Sequence, residues 1–352
     1  MTGEPLLVVT RGRIVESVHL GSIAVVDSTG TLIASHGDPQ AVAFLRSSAK
    51  PFQALPFVER GGIEHFGFTL RELALACASH EGSDMHIQAV LQLQRKVGIE
   101  ECDLQCGIHM PGDVDEFKSL IVHDRKPTTN HNNCSGKHTA MLAHAKMRGL
   151  PLEGYLDIGH PVQQDILATF AEMCKVPAGQ VELGTDGCSA PNFSVPLYNA
   201  ALAMARMCDP RHLSERRASA CHAITSAMTA QPEMVSGYGE FDEQLMRVGN
   251  GKFVCKRGAE GYQIIGLAGG VLGADSPGVG IAIKVLDGDA SRLGSGLEST
   301  NRVRPAVTVE ILRQLGVLSP EQEQALAGFG PEKQIRNHRG IITGESHPVF
   351  RL

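Results

Sequence analysis

The chain has 352 residues, 42% of them hydrophobic and 20% charged, with a formal net charge of −6. No apolar run reaches the ~18 residues of a membrane span, no basic stripe follows a phosphate backbone, and with no Trp and four Tyr there are no stacking platforms for single-stranded nucleic acid. The expectation is a soluble, cytoplasmic protein with chain enough for a sizeable core, and the start Met1-Thr2-Gly3-Glu4-Pro5 lacks the basic and apolar regions of an export signal.

The opening stretch reads as β: segments 6–10, 13–19 and 22–27 are short, rich in Val and Ile and separated by Gly, and Asp27-Ser28-Thr29-Gly30 turns into a strand over 31–35. Helical signals then dominate. Residues 49–59 carry apolar side chains at helical spacing. Pro51 suits the first turn of that helix, which puts Ser47 at its start, and Pro56 predicts a kink or split. Thr69-Leu70-Arg71-Glu72 is a capping box for a helix to about residue 78. Further helices are predicted over 83–97, 135–147 (closed by Gly149), 161–175, 197–207 and 213–229. Strand character returns at 252–257, 261–267 and 278–286, and helices near 306–315 and 320–327 finish the chain. Strands, many helices, strands, then helix is the order of an α+β fold: a mainly antiparallel sheet from about 1–40 and 250–352, with a mainly helical portion over 41–249.

Nine scattered cysteines, an odd number, point to reduced thiols rather than a disulfide framework. Cys102-x-x-x-Cys106-x-x-His109 is half of a zinc pattern without its second half and reads as structural.

The chemistry concentrates in five polar segments. Ser47 and Lys50 stand three apart in Arg46-Ser47-Ser48-Ala49-Lys50-Pro51, so on one helical turn the amine can reach the hydroxyl and take its proton. The bland reading of Ser47 is a helix cap, and that of Ser48 a structural hydroxyl. The others are Cys77-Ala78-Ser79-His80-Glu81-Gly82, Asn132-Asn133-Cys134-Ser135-Gly136-Lys137-His138, Gly184-Thr185-Asp186-Gly187-Cys188-Ser189-Ala190-Pro191 and Lys256-Arg257-Gly258-Ala259-Glu260-Gly261. Cys134 precedes a helix start, where the dipole favours a thiolate.

These motifs, in this order and joined by S-G-Y-G-x-F-D at 236–242, resemble the Rhizobium etli-type L-asparaginase family, also called asparaginase II, over essentially the whole chain. The resemblance implies a fold like that of serine β-lactamases and glutaminases, and hydrolysis of L-asparagine to L-aspartate and ammonia by a Ser–Lys activated serine. It implies two Ser–Lys pairs: Ser47 with Lys50, and Ser79 with Lys256, for which Lys284 is the alternative. It implies Zn²⁺ on Cys134, Lys137 and Cys188, structural or affinity-tuning rather than the source of the nucleophile. Arg46, Ser48, Asp186, His138 and Cys134 become substrate-binding candidates, Asp186 for the α-ammonium and Arg46 for the α-carboxylate. The cysteine that some members carry after F-D-x-x-x-M is missing from Leu245-Met246-Arg247-Val248-Gly249. The expected partner is a small-molecule substrate, with no nucleic acid and no membrane, in a homodimer. Three other readings stand beside this one: a glutaminase or other small-amide hydrolase, a zinc-dependent hydrolase using metal-bound water, and a non-enzymatic binder on a penicillin-recognition-like scaffold.

Overall fold

The computed structural model describes residues 2–289 and 302–352. Among the described residues eleven strands occur: β1 Glu4–Arg11, β2 Ile14–Asp27, β3 Leu32–His36, β4 Val42–Phe44, β5 Glu182–Thr185, β6 Pro191–Pro196, β7 Phe253–Arg257, β8 Tyr262–Leu267, β9 Val279–Val285, β10 Lys333–Arg336 and β11 Ile342–Pro348. The main sheet is antiparallel in the order β10-β11-β1-β2-β9-β8-β7, with β3 also on β2. The α+β pattern read from the sequence is therefore observed: both ends of the chain build the sheet, and helices fill the span between.

Local signals explain most elements. Thr69 and Glu72 form the capping box of the helix Leu70–Ala76. Gly98, in the left-handed region, ends the helix Asp84–Val97. The buried, alanine-rich helix Leu197–Cys208 packs on β2, β8 and β9. A Cβ on Gly280 would stand 1.8 Å from the Ala201 carbonyl oxygen, so only glycine lets helix and sheet approach this closely.

Four departures from the sequence reading have physical causes. The segments 13–19 and 22–27 are one strand, because Gly21 is there for clearance: a Cβ would lie 2.3 Å from the Lys284 carbonyl oxygen on β9. The helix Lys50–Glu59 runs on through Pro56 without splitting, buried along nearly its whole length, so packing compensates for the missing N–H. The chain does not finish in helices. After the helix Pro320–Leu326 it returns as the β10–β11 hairpin, whose mixed, mostly half-buried or exposed side chains carry no apolar alternation. Inside the helical portion lies a small sheet, β4-β6-β5, together with the helices Val114–Val122 and Phe241–Gly249.

All nine cysteines are free, and seven of them are buried. Among the described residues no helix is long and apolar enough to cross a membrane.

Candidate active site

β7 ends the main sheet, and its free edge is covered by the turn Arg46–Ala49 and the helix Phe241–Gly249. Lys256 lies on this strand. Lys50 opens the helix that leaves the turn, and Ser79 follows the helix Leu70–Ala76 with its N–H on the Val235 carbonyl at 2.8 Å. These elements converge on one hydroxyl. Lys50 Nζ and Lys256 Nζ each donate to Ser79 Oγ at 2.9 Å. Lys50 also donates to the carbonyls of Ala78 (2.5 Å) and Asn133 (3.3 Å), and Lys256 to that of Arg257 (3.0 Å).

All three side chains are buried. Burial, with the cations Lys50 and Arg257 adding to it and Asp242 opposing, brings the Lys256 ammonium down to about 7. That value matters for Ser79. Two ammonium groups would occupy both lone pairs of its oxygen and give its own proton no partner. A Lys256 amine that had lost its extra proton could instead accept from the hydroxyl across the same 2.9 Å contact.

Ser79 lines a cavity of roughly 300 Å³ with Ser47, His80, Glu81, His109, Gly112, Asn133, Arg257, Gly258, Ala259 and Arg304. Ser47 is thus on the same wall as Ser79, half-buried, but Lys50 directs its hydrogen bonds to Ser79 and not to Ser47. Nor is Ser47 a cap: the helix Lys50–Glu59 begins behind Ala49 with no side-chain cap. The amides of Ser47 and Ala259 donate to no other described residue, and both residues line the cavity.

Of the two lysines considered for Ser79, Lys256 makes the contact. Lys284 instead donates to the carbonyls of Glu260 and Val285 (3.0 Å for Val285). Ser48 is fully buried, and its hydroxyl donates to the Lys256 carbonyl at 2.8 Å. It ties the turn to β7 and, contrary to the substrate-binding expectation, does not line the cavity.

Arg46 and Asp186 are brought together by the small sheet that the sequence reading missed. β4 and β5 both pair antiparallel with β6, so they run in the same direction and leave the sheet at the same end. Arg46 Nε donates to Asp186 Oδ1 at 2.7 Å, and the Arg46 backbone, at φ 52, is held by Asn192 Oδ1 on its N–H at 3.1 Å. Burial works to raise the Asp186 carboxyl, but Lys137 and Arg46 outweigh it and hold it below its ordinary value. The two candidate anchors therefore neutralise each other, and neither lines the cavity that holds Ser47 and Ser79.

Behind Asp186, Cys134, Lys137 and Cys188 are buried together. Lys137 Nζ donates to Cys188 Sγ at 3.0 Å, and Cys134 Sγ lies 3.1 Å from Asn133 Oδ1. The Cys134 thiol is held well below its usual range by the Cys188 S–H, with Lys50 and Lys137 assisting, and Cys188 is raised in turn. His138 is fully buried, with Nδ1 on the Tyr155 hydroxyl at 2.6 Å and Nε2 without a partner beside Cys188. It does not line the cavity, and burial lowers it to about 4.

Among the described residues no three His, Cys, Asp or Glu side chains gather to hold a metal ion. Two thiols and an amine are nonetheless donors of the kind zinc accepts. The Cys102/Cys106/His109 pattern is not a metal set: Cys102 is exposed, Cys106 donates to the Thr129 carbonyl at 3.7 Å, and His109 faces the cavity.

Sequence reasoning missed Arg257, Glu81 and Glu240. The Arg257 guanidinium pairs with both carboxylates at the cavity wall. A glycine-flanked loop acid, Glu81, and the Arg following the candidate lysine were the available signals. His80 accepts from the Gly82 N–H at Nδ1 (3.1 Å), so Nε2 carries the proton and donates to Ser135 Oγ (2.9 Å). This links the Ser79 segment to the helix that carries Lys137.

A small cavity walled by Ser47 and Ser79, with two buried lysine amines on the hydroxyl of Ser79, on this α+β frame, suits a hydrolase acting on amides. The chain matches the L-asparaginase II family over residues 7–348 and belongs to that family. No curated protein matches it. Among solved structures it is similar to a probable glutaminase from Bacillus subtilis complexed with 6-diazo-5-oxo-L-norleucine (13% identity over 84% of each chain, TM-score 0.37). It is also similar to another Bacillus subtilis probable glutaminase structure (11% identity, 84% of this chain and 88% of that one, TM-score 0.38). A third is a Bacillus glutaminase in the presence of 4.3 M NaCl (12% identity, 84% and 91%, TM-score 0.36).

Proposed function

We propose that the chain hydrolyses the side-chain amide of free L-asparagine to L-aspartate and ammonia. The observation that carries this reading is Ser79 Oγ, 2.9 Å from two buried lysine amines at the wall it shares with Ser47. Ser47 Oγ adds to the amide carbon, and its proton passes through Ser79 to the neutral Lys256 amine. The oxyanion meets the amides of Ser47 and Ala259. On collapse the C–N bond breaks, the lysine proton returns through Ser79 to the leaving nitrogen, and ammonia departs. Water then cleaves the acyl–Ser47 ester to free aspartate and restore the hydroxyl.

Asparagine suits the Arg46–Asp186 pair because its own α-ammonium and α-carboxylate can replace each partner of that ion pair, leaving no charge unpaired. Cys134, Lys137 and Cys188 would hold Zn²⁺, which supplies a fixed positive charge behind Asp186. Lys137 must give up a proton to ligate it.

A second reading has Ser79 itself as the nucleophile, favoured by its direct contact with both lysines. Trapping the acyl-enzyme and mapping the modified peptide separates the two: mass on Ser47 supports the relay, mass on Ser79 the direct attack. The function itself is tested by ammonia release from asparagine and glutamine side by side. Release from asparagine, with kcat/KM at least about tenfold above glutamine, is expected, a difference of ~1.4 kcal/mol. Equal values reduce the assignment to a general small-amide hydrolase, and release from neither overturns it.

A further inference from the structure

One carboxylate grips both neighbours of Lys256 without touching Lys256 itself. Asp242, buried in the first turn of the helix Phe241–Gly249, accepts the Arg257 backbone N–H at Oδ2 (2.6 Å). Its Oδ1 accepts from Cys255 Sγ (3.3 Å) and from Gln263 Nε2 (3.0 Å). Because β7 is the sheet edge, the carboxylate takes the place of a neighbouring strand at Arg257. The second layer is fixed too. Gln263 Oε1 accepts from Arg304 Nη1 at 3.2 Å, and Arg304 Nε donates to Asp289 Oδ2 at 3.1 Å. Every direct donor to Asp242 is an amide or a thiol, so its charge is solvated but not cancelled by an ion pair. The Arg257 guanidinium is already occupied by Glu81 and Glu240.

We propose that Asp242 is the positioning residue that sets how strongly Lys256 holds its proton, through its charge rather than through contact with the reacting atoms. The proposal rests on Lys256 as the proton acceptor. The titratable and charged groups around Lys256 are Lys50 from the helix across the site, Cys77 from the segment after Leu70–Ala76, Cys255 and Arg257 on its own strand with their side chains on the other face of β7, and Asp242 from the covering helix, while Ser79 touches it directly. Lys50 and Arg257 are cations, Ser79 is neutral, and burial keeps Cys77 and Cys255 as thiols. Asp242, held ionised by Lys256 and Arg257 against the cost of its own burial, is the anion in this set. Without it Lys256 faces two cations and no countercharge, and gives up its proton at lower pH.

Asp242→Asn keeps the shape and one oxygen acceptor while removing the charge. The acid limb of kcat/KM, expected at about pH 7 in the parent protein, should move down by about one pH unit or more, and the plateau should fall about tenfold because a weaker base is at work. The ¹³Cε resonance of Lys256 should titrate with the same displacement, and this readout needs no turnover. If ammonia release is absent altogether, the amidohydrolase reading fails while the lysine titration still decides the role of Asp242. A merely structural Asp242 would lower Tm and kcat and leave both titrations in place, and that result overturns the proposal. Should the Asn variant fail to fold, Asp242→Glu carries the test: the charge remains, so the limb must stay within about half a pH unit of the parent whatever happens to the plateau, and a larger displacement is fatal.

Discussion

Lys256 and Lys137 are both almost fully buried, yet they titrate in opposite directions. Lys256 is brought down to about 7. Burial also pulls Lys137 down, but Cys188, Cys134 and Asp186 together outweigh it and push that ammonium above its ordinary value. Burial lowers both. Around Lys256 it prevails, with Lys50 and Arg257 adding to it against Asp242, whereas around Lys137 the two cysteines and Asp186 outweigh it. On the proposed mechanism the first environment supplies the base, and the second a fixed cation or a ligand that trades its proton for a metal. The proposal thus assigns one lysine to chemistry and the other to scaffolding, and the division is open to experiment.

The largest expected effect is on the chemical side. Lys256→Met and Ser79→Ala should each lower kcat by about 10²–10⁴-fold with Tm retained, because the proton conduit is gone, and Ser47→Ala by ~10³-fold or more. Turnover within about tenfold of the parent in Ser47→Ala would move the nucleophile to Ser79.

On the other side, Asp186→Ala should raise KM about tenfold or more while kcat changes little, since a charged hydrogen bond of ~1.5–3 kcal/mol is lost. A constant KM removes Asp186 as the ammonium anchor.

Chelation or Cys188→Ser should act more weakly. The expectation is measurable residual activity and a KM rise of about tenfold that zinc reverses in the parent protein. Complete, reversible loss of kcat on chelation would put the metal into the chemistry. No zinc in protein purified without chelator, with unchanged kinetics in Cys134→Ser, would remove the site.

The smallest effect concerns groups where burial does win. His86, His138 and His144 are each lowered to about 4, chiefly by burial. An unfolded histidine binds its proton near 6.5, so the stability these groups contribute is present above pH 6.5 and lost as pH falls towards 4. A Tm that declines over this interval, and declines less in His144→Phe, is the check. A flat Tm would mean that these imidazoles are protonated in the fold.

Much of this was legible in the sequence. Capping boxes, glycine stops and apolar periods placed most helices within a residue or two, and the motif segments carried Ser47, Ser79, Lys50, Lys256 and the Cys134/Lys137/Cys188 set. What could not be read was who faces whom. The i, i+3 spacing put Lys50 beside Ser47, but the opening turn is tight and the amine is drawn to Ser79 and two carbonyls, 28 and 83 residues away in sequence for Ala78 and Asn133. The Arg46–Asp186 contact depends on a three-stranded sheet whose strands are three to six residues long, too short for a periodic signal. Asp242 was visible in its motif, but its grip on β7 arises only when that strand becomes a sheet edge.

The most direct test is the pH dependence of kcat/KM for asparagine. If a neutral Lys256 takes the serine proton, the value is low in acid, rises tenfold per pH unit, and levels off above about pH 7. A rate that is flat from about pH 5.5 to 8.5, well clear of that transition on both sides, would contradict the account, because no group titrating near neutrality would then be required for the reaction.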